Sequence, residues 1–409
     1  MIGDFERYDM TRRPNRQWHI LRPITWLLSF PDCISHKAKI NKEAVPKNLK
    51  PPYFLLCNHN AFMDFKVMTK AVFPHRANYV VAIDGFLARG WLLRAVGCIC
   101  NRKFVRSINL VINMIHAKNN GDIVVLFPEA RYSLCGTTAV MPKSIGKMVK
   151  KMNVPLVTLI MHGHHINSPF WNTRNRKVKP VESEMSLLLT QEETQALSVD
   201  EINERIVKAF GYDEYAWQKE KGIKVTYKKR AEGLHKVLYQ CPACSVEYKM
   251  SSSGATLRCD SCKKSWTMSE LGELGADHGE TEFSHIPDWY EWQCANVQKE
   301  IAAGTYSFKA KVRVESLPND KRFIVFEERA ELTHDMNGFN LKGSYKGESY
   351  NIDWPAATMH SCHIEYGYFG RGDCVDLNTT DDTLYLFPEE GDFSITKISL
   401  ATEELFKIV

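Results

Sequence analysis

The run Tyr53-Phe54-Leu55-Leu56-Cys57 is apolar throughout and stops abruptly at Asn58-His59-Asn60. An apolar run of that length closed by polar residues reads as a strand buried on both faces, the kind found inside a layered α/β sheet. The residues just beyond it constrain the chain further. His59 and Asp64 are five apart, and on one uniform helix their side chains would point about 140° apart. They converge only if His59 stands where strand gives way to helix and Asp64 lies in the first turns beyond. There the carboxylate would fix the tautomer of the imidazole and stabilise its positive charge, which makes His59 a general base for a hydroxyl.

The same alternation continues to about residue 165. Strand-like runs at Tyr79 to Ile83, Ile123 to Phe127 and Val154 to Ile160 are interleaved with helical stretches at Phe86 to Val96 and Ser107 to Lys118. The pattern predicts an α/β layered domain, with functional side chains at strand ends and loops. Residues 140 to 151 read as a basic amphipathic helix, residues 181 to 232 as polar and helical. Cys57 continues the apolar strand and reads as a core residue rather than a nucleophile. His162, His164 and His165, directly after a strand and with no carboxylate or cysteine at ligand spacing, are expected to line a pocket or cap the strand.

Four blocks in order are notable: His59-x4-Asp64, Gly97 to Arg102, Phe127-Pro128-Glu129 and Val154-Pro155. Together they resemble the glycerolipid acyltransferase family, over roughly residues 50 to 165. The resemblance implies transfer of a fatty acyl group from a thioester, acyl-CoA or acyl carrier protein, to the hydroxyl of a lysophospholipid acceptor. By default that acceptor is 1-acyl-glycerol 3-phosphate, and the role is phospholipid biosynthesis. It implies His59 as the base and Asp64 as its orienting partner. It assigns Arg102, or Lys103 beside it, to the acceptor phosphate, and Glu129 to the acceptor's polar head or a neighbouring basic side chain. A thioester is already activated, so no protein nucleophile is needed. One block departs from the pattern: the family's Phe-Pro-Glu-Gly-Thr-Arg-Ser is here Phe-Pro-Glu-Ala-Arg-Tyr-Ser. Arg131 therefore comes one place early and Tyr132 stands where the family's arginine would be. The Gly97 to Arg102 block is also one residue shorter than in many relatives. Either Arg131 reaches the same pocket or the acceptor's head group differs. A rival reading is a binding or regulatory protein built on an acyltransferase core, with partners recognised by the rest of the chain. The copy Leu386-Phe387-Pro388-Glu389 is followed by no arginine and reads as a strand entering a turn.

Cys241-Pro-Ala-Cys244 and Cys259-Asp-Ser-Cys262 form a second signature. Two such knuckles at this separation match a four-thiolate zinc site, closed and therefore structural, on a zinc ribbon. Flanking runs at Lys236 to Gln240, Val246 to Met250 and Thr256 to Arg258 are read as strands. The ribbon lacks an arginine-rich or aromatic-interleaved face, so no nucleic acid partner is expected. Residues 284 to 303 read as a helix that Asp288 could cap. From Gly304 the period switches to two, in several strands closed by a helix over Thr402 to Ile408; a small β-rich barrel, pleckstrin-homology-like, is expected. The reading divides the chain into an interfacial segment (1–48), an acyltransferase domain (49–232), a zinc ribbon (233–275), a helical linker (276–303) and a β-rich domain (304–409).

Charge separates the halves. Residues 281 to 409 carry 12 Lys and Arg against 22 Asp and Glu, leaving 41 against 26 before them. The basic half suits an anionic membrane surface or acyl-CoA. Arg12 to Phe30 pairs arginines with Trp18, Trp26 and a short apolar run, the composition of a segment lying in a membrane interface. Pro23 is expected to split it into two short helices. No window offers the ~20 apolar residues of a bilayer-spanning helix, and the start has no cleavable leader pattern. A cytoplasmic, peripheral membrane protein is the expectation, and the 12 cysteines are then thiols or metal ligands.

Overall fold

The computed structural model describes residues 2–409. The chain forms two compact units that interleave in sequence. The first comprises Asp9–Asn101 and Arg106–Lys224; the second comprises the N-terminal segment up to Tyr8, Arg102–Val105 and Val225–Val409.

The first unit is built on a seven-stranded sheet: β1 (Lys39–Asn41), β2 (Phe54–Cys57), β3 (Ala77–Ala82), β4 (Ile99–Asn101), β5 (Ile123–Leu126), β6 (Leu156–His162) and β7 (Glu182–Leu189). Their spatial order is β1-β7-β6-β2-β5-β3-β4. β2 runs parallel to both β5 and β6, and only the β6–β7 pairing is antiparallel. Alternate side chains of β2 feed two cores. Leu55 and Cys57 pack with Val67, Met68, Val125 and Val157 on one face. Phe54 and Leu56 pack with Leu110, Met114, Val149 and Ile206 on the other. Cover on both faces is why the strands read as unbroken apolar runs.

Several sequence expectations shift in detail. Pro23 does not divide the N-terminal segment. It sits in the first turn of one continuous helix, Arg22–Ser35, where its missing N–H has no intrahelical partner to lose. The stretch expected as one helix from Phe86 to Val96 is instead two, Ile83–Phe86 and Gly90–Ala95, separated at Ala88, whose φ is 57°. The polar segment after residue 181 begins with a strand, β7, before its helices. Its period-two burial was masked by Glu182, Ser183 and Glu184.

In the second unit, β8 (Met250–Ser253), β9 (Thr256–Cys259), β10 (Ser265–Met268) and β11 (Leu274–Ala276) form an antiparallel sheet that carries the cysteine knuckles. The expected strand at Lys236 to Gln240 is not one: a 3-10 turn covers Leu234–Lys236 and only Gln240 bridges to Glu247. The helix Ile286–Ala302 forms as expected, but Asp288 makes no side-chain cap and lies in its first turn.

The period-two region supplies β12 (Phe308–Ser316), β13 (Ile324–Val325), β14 (Ala330–Asp335), β15 (Gly338–Tyr345), β16 (Glu348–Pro355), β17 (His363–Glu365), β18 (Cys374–Asn378) and β19 (Thr383–Pro388). The ladder runs β16-β15-β14-β12-β19-β18-β17, with β13 paired to β12. Among the described residues no pairing joins β16 to β17, so the ladder itself shows an antiparallel sheet with a terminal helix and no hydrogen-bonded closure into the expected barrel. Alternation specifies strands, whereas closure depends on strand tilt and stagger that alternation does not carry. The terminal helix is longer than expected, Ile395–Ile408, because Ser394 caps it a full two turns earlier, accepting from Lys397 N–H.

Beyond the last ladder residue of β2, the Asn58 side chain carries the pairing on. Its Nδ2 donates to the Met161 carbonyl (2.9 Å) and its Oδ1 accepts from the Met161 N–H (2.8 Å), all fully buried. Asn58→Ala would orphan both backbone groups. Thermal and urea unfolding are expected to show a loss of about 2–4 kcal/mol.

Candidate active site

His59 leaves the C-terminal end of β2, Glu129 follows β5, and His162 and His164 end or follow β6. These are three adjacent parallel strands, so the loops converge on one edge of the sheet. His59 and Asp64 meet as the spacing requires: Nδ1 lies 2.9 Å from Asp64 Oδ2. Asp64 sits in the first turn of the helix Met63–Val72, and the same oxygen accepts the N–H groups of Asn60 (2.6 Å) and Ala61 (3.0 Å). The carboxylate thereby closes the turn that presents the histidine. Its second oxygen receives His164 Nδ1 at 2.5 Å. Burial pushes the Asp64 carboxyl up, but the hydrogen bonds and electrostatic pull of His164 and His59 outweigh it and hold its pKa at about 2.

The His59 ring is walled by aromatics. It stacks on Phe127 with centroids 4.0 Å apart, and Tyr132 lies against it at 4.3 Å, backed by Phe170. The His59 carbonyl accepts from Ser133 N–H (2.9 Å), tying the loop after β2 to the loop after β5. Nδ1 is committed to Asp64, which leaves Nε2 as the ring nitrogen able to take a proton. The Cys57 thiol is fully enclosed, and burial, with the charge of Asp64 nearby, pushes its pKa well above the ordinary value. It has no nucleophilic character in this setting.

Glu129 is wholly buried. Its Oε2 accepts from Ala139 N–H (3.2 Å) while Oε1 has no hydrogen-bond partner. Burial raises its pKa to about 8, against the opposing pull of the Ala139 and His59 backbones and of Arg131. Arg131 is itself 5% exposed, so the guanidinium that comes one place early in the sequence points into the unit. Ala130 adopts φ 54°, the left-handed region, where an L-residue costs about 1–2 kcal/mol. Holding that strain lets the turn after Phe127 send Glu129 and Arg131 inward.

Arg102 and Lys103 fold with the second unit. The Arg102 guanidinium donates to the carbonyls of Leu317 (3.1 Å), Pro318 (2.9 Å) and Asp381 (2.9 Å) and to Thr383 Oγ1 (2.6 Å). Lys103 Nζ lies 2.7 Å from His363 Nε2. The basic helix forms as Ile145–Met152, and its Lys150 donates to the carbonyls of Gln195 and Leu197, closing the helix Gln191–Ala196.

Sequence reasoning passed over Asn58, Asn60, Tyr212 and Glu214. Tyr212 OH donates to Asn60 Oδ1 (3.1 Å), and the Glu214 carboxylate receives the N–H groups of Gly163 and His165. Asn58 and Asn60 flank His59 itself, whereas no short motif marks Tyr212 and Glu214, which come to the site from a segment some 150 residues further along the chain. The three histidines after β6 part company: His162 stacks on Trp217, His164 reaches Asp64 and His165 packs against Tyr215.

The four knuckle cysteines form a separate cluster, with all Sγ atoms within 4.8 Å of one another. Cys241 and Cys262 are 3.7 Å apart, Cys244 and Cys259 3.8 Å. A tetrahedral ion with four sulfurs at about 2.3 Å separates them by about 3.8 Å, so the set fits zinc. The two knuckles repeat one geometry. Ser245 N–H donates to Cys241 O and Lys263 N–H to Cys259 O, both at 2.9 Å, and Ser245 and Lys263 both have positive φ (60° and 68°).

Residues 37–162 match the family model described as Acyltransferase. Among solved structures, the chain is similar to the 1-acyl-sn-glycerophosphate (LPA) acyltransferase PlsC from Thermotoga maritima. That likeness has 15% identity and a TM-score of 0.33, and covers 46% of this chain and 79% of that one. No curated protein matches the sequence.

Two outcomes follow from these geometries. Glu129 has a folded pKa above its ordinary 4.5, so the folded state binds that proton more tightly than the unfolded chain. Its contribution is complete at low pH and is lost as pH rises from about 4.5 to about 8. Urea titrations at about pH 5 and about pH 8 are expected to show Glu129→Gln gaining stability over wild type at the higher pH. For the cysteine cluster, replacing Cys241 and Cys244 with serine should abolish bound zinc by metal analysis and loosen the β8–β11 sheet; unchanged zinc content would refute the site.

Proposed function

We propose that this chain, whose residues 37–162 match the Acyltransferase model, moves a fatty acyl group from acyl-CoA or acyl carrier protein to a lysophospholipid hydroxyl. The default acceptor is 1-acyl-glycerol 3-phosphate. The observation that carries the reading is the His59–Asp64 pair at the end of β2, with Nδ1 held at 2.9 Å and Nε2 left to accept a proton. In the proposed step Nε2 takes the acceptor's hydroxyl proton as its oxygen attacks the thioester carbonyl. A C–O bond forms, the C–S bond breaks as the tetrahedral intermediate collapses, and the thiolate leaves with the proton returned by His59. Asp64 stays ionised and stabilises the transient imidazolium. Glu129, with its unpartnered Oε1, and Arg131 are assigned to the acceptor's polar head. Tyr132, beside the His59 ring, would wall the acceptor in place of the family's arginine.

The zinc ion assigned to Cys241, Cys244, Cys259 and Cys262 would hold the ribbon together and take no part in the chemistry.

The reading extends to a membrane surface. Among the described residues no helix is long and apolar enough to cross a membrane. The helix Arg22–Ser35 nonetheless exposes Leu27 (73%), Leu28 (68%) and Ile34 (71%), and Ile20 just before it (76%). An apolar face flanked by Arg12, Arg13, Arg16 and Arg22 suits the interface of an anionic bilayer.

Purified wild type is expected to acylate at least one member of a panel of lyso-acceptors, with and without phosphate, from long-chain acyl-CoA or acyl carrier protein. His59→Ala should lower kcat by about 10²–10⁴-fold. No transfer across the panel by folded protein would overturn the enzymatic reading. Separately, the double variant Leu27→Glu with Leu28→Glu should stay at the bottom of a flotation gradient with anionic liposomes while wild type rises. Equal flotation would remove the interfacial role of that helix.

A further inference from the structure

The carboxylate behind His59 is held by a second histidine. Asp64 Oδ2 already serves His59 Nδ1 and the Asn60 and Ala61 N–H groups, whereas Oδ1 receives its hydrogen bond from His164 Nδ1 at 2.5 Å. His164 and Asp64 are both 0% exposed, so water does not substitute for that bond. The other ring nitrogen of His164, Nε2, is buried with no hydrogen-bond partner. A proton there would be an orphaned donor, which is costly in a dry interior, so the ring carries its proton on Nδ1 and presents it to Asp64.

The backbone that carries His164 is pinned on both sides. Gly163 N–H donates to both oxygens of the buried Glu214 carboxylate (2.8 and 3.1 Å), and His165 N–H donates to one of them (3.2 Å). Gly163 itself has φ 88°, and a Cβ there would meet Trp217 and Val181 at 3.2 Å. The His164 ring is therefore delivered to Asp64 by a rigid turn after β6, and not by a mobile side chain at a surface.

We propose that His164 is a positioning residue: by donating Nδ1–H to Asp64 Oδ1 it fixes the carboxylate so that Oδ2 stays on His59 Nδ1 and holds His59 in the tautomer with a free Nε2. The catalytic part of this inference rests on the acyl-transfer reading above; the structural part does not.

The test uses the full chain with 15N-labelled histidine, with NMR reporting which ring nitrogens carry protons and His59→Gln and His164→Asn supplying the assignments. In wild type, His164 and His59 are both expected to be protonated at Nδ1. His164→Leu should leave His59 as a mixture of tautomers and lower kcat at least about tenfold with little change in KM. His164→Asn, whose amide N–H replaces Nδ1–H, should restore most of the kcat and the single tautomer. Wild-type His164 unprotonated at Nδ1 would overturn the proposal even if the leucine variant fails to fold. So would an unchanged His59 tautomer in folded His164→Leu. If wild type transfers no acyl group, the function reading falls while the tautomer measurement still decides the role of His164.

Discussion

A carboxylate with no exposed surface is tolerated only when donors replace the water it has lost, and Asp64 is surrounded by four: two histidine rings and two backbone N–H groups. Each donor comes from an element that this carboxylate then holds in place. The two N–H groups belong to the turn out of β2, His59 to the end of that strand, and His164 to the turn after β6. Asn58 ties the same two strand ends together by a second, independent pair of hydrogen bonds. The edge of the sheet where the histidine stands is rigid because its polar groups are satisfied by one another.

The contrast with Glu129 is instructive. It is as deeply buried as Asp64, yet one oxygen lacks a partner and its pKa is raised to about 8 where that of Asp64 falls to about 2. Equal burial gives opposite outcomes because Asp64 faces two imidazoles, while Glu129 meets a single backbone donor at hydrogen-bond distance and is left with the desolvation penalty. Two carboxylates in one unit thus hold different protonation states near neutral pH. With the left-handed Ala130 beside it, the loop after β5 carries both a strained backbone residue and a carboxylate left largely unsolvated.

The second unit is organised on other principles. Its ribbon rests on two copies of one local turn, each a left-handed residue just after the second cysteine, which bring four sulfurs to tetrahedral spacing. Its larger sheet is antiparallel, and it takes the guanidinium of Arg102 as a buried strut against three carbonyls and a threonine. That residue is one of a well-ordered set of motif positions, and nothing local distinguishes an arginine that binds a ligand from one that closes a backbone.

The sequence by itself determined what local periodicity and fixed spacing carry: the buried strands β2, β5 and β6, the layered α/β class, the turn that brings His59 to Asp64, and the cysteine quartet. Each depends on residues within a few positions, or on two short copies of one turn. It also carried the helices over Ile108–Asn119 and Ile286–Ala302, whose apolar positions recur at helical spacing. Tertiary structure decided the rest. His164 reaches Asp64 across 100 residues, Tyr212 reaches Asn60 across 152, and Arg102 reaches Thr383 across 281. Whether the last sheet closes was likewise beyond the alternation pattern, since register and tilt are collective properties of strands. Polar side chains commit to distant partners only once burial removes water as the alternative, and that choice belongs to the folded molecule.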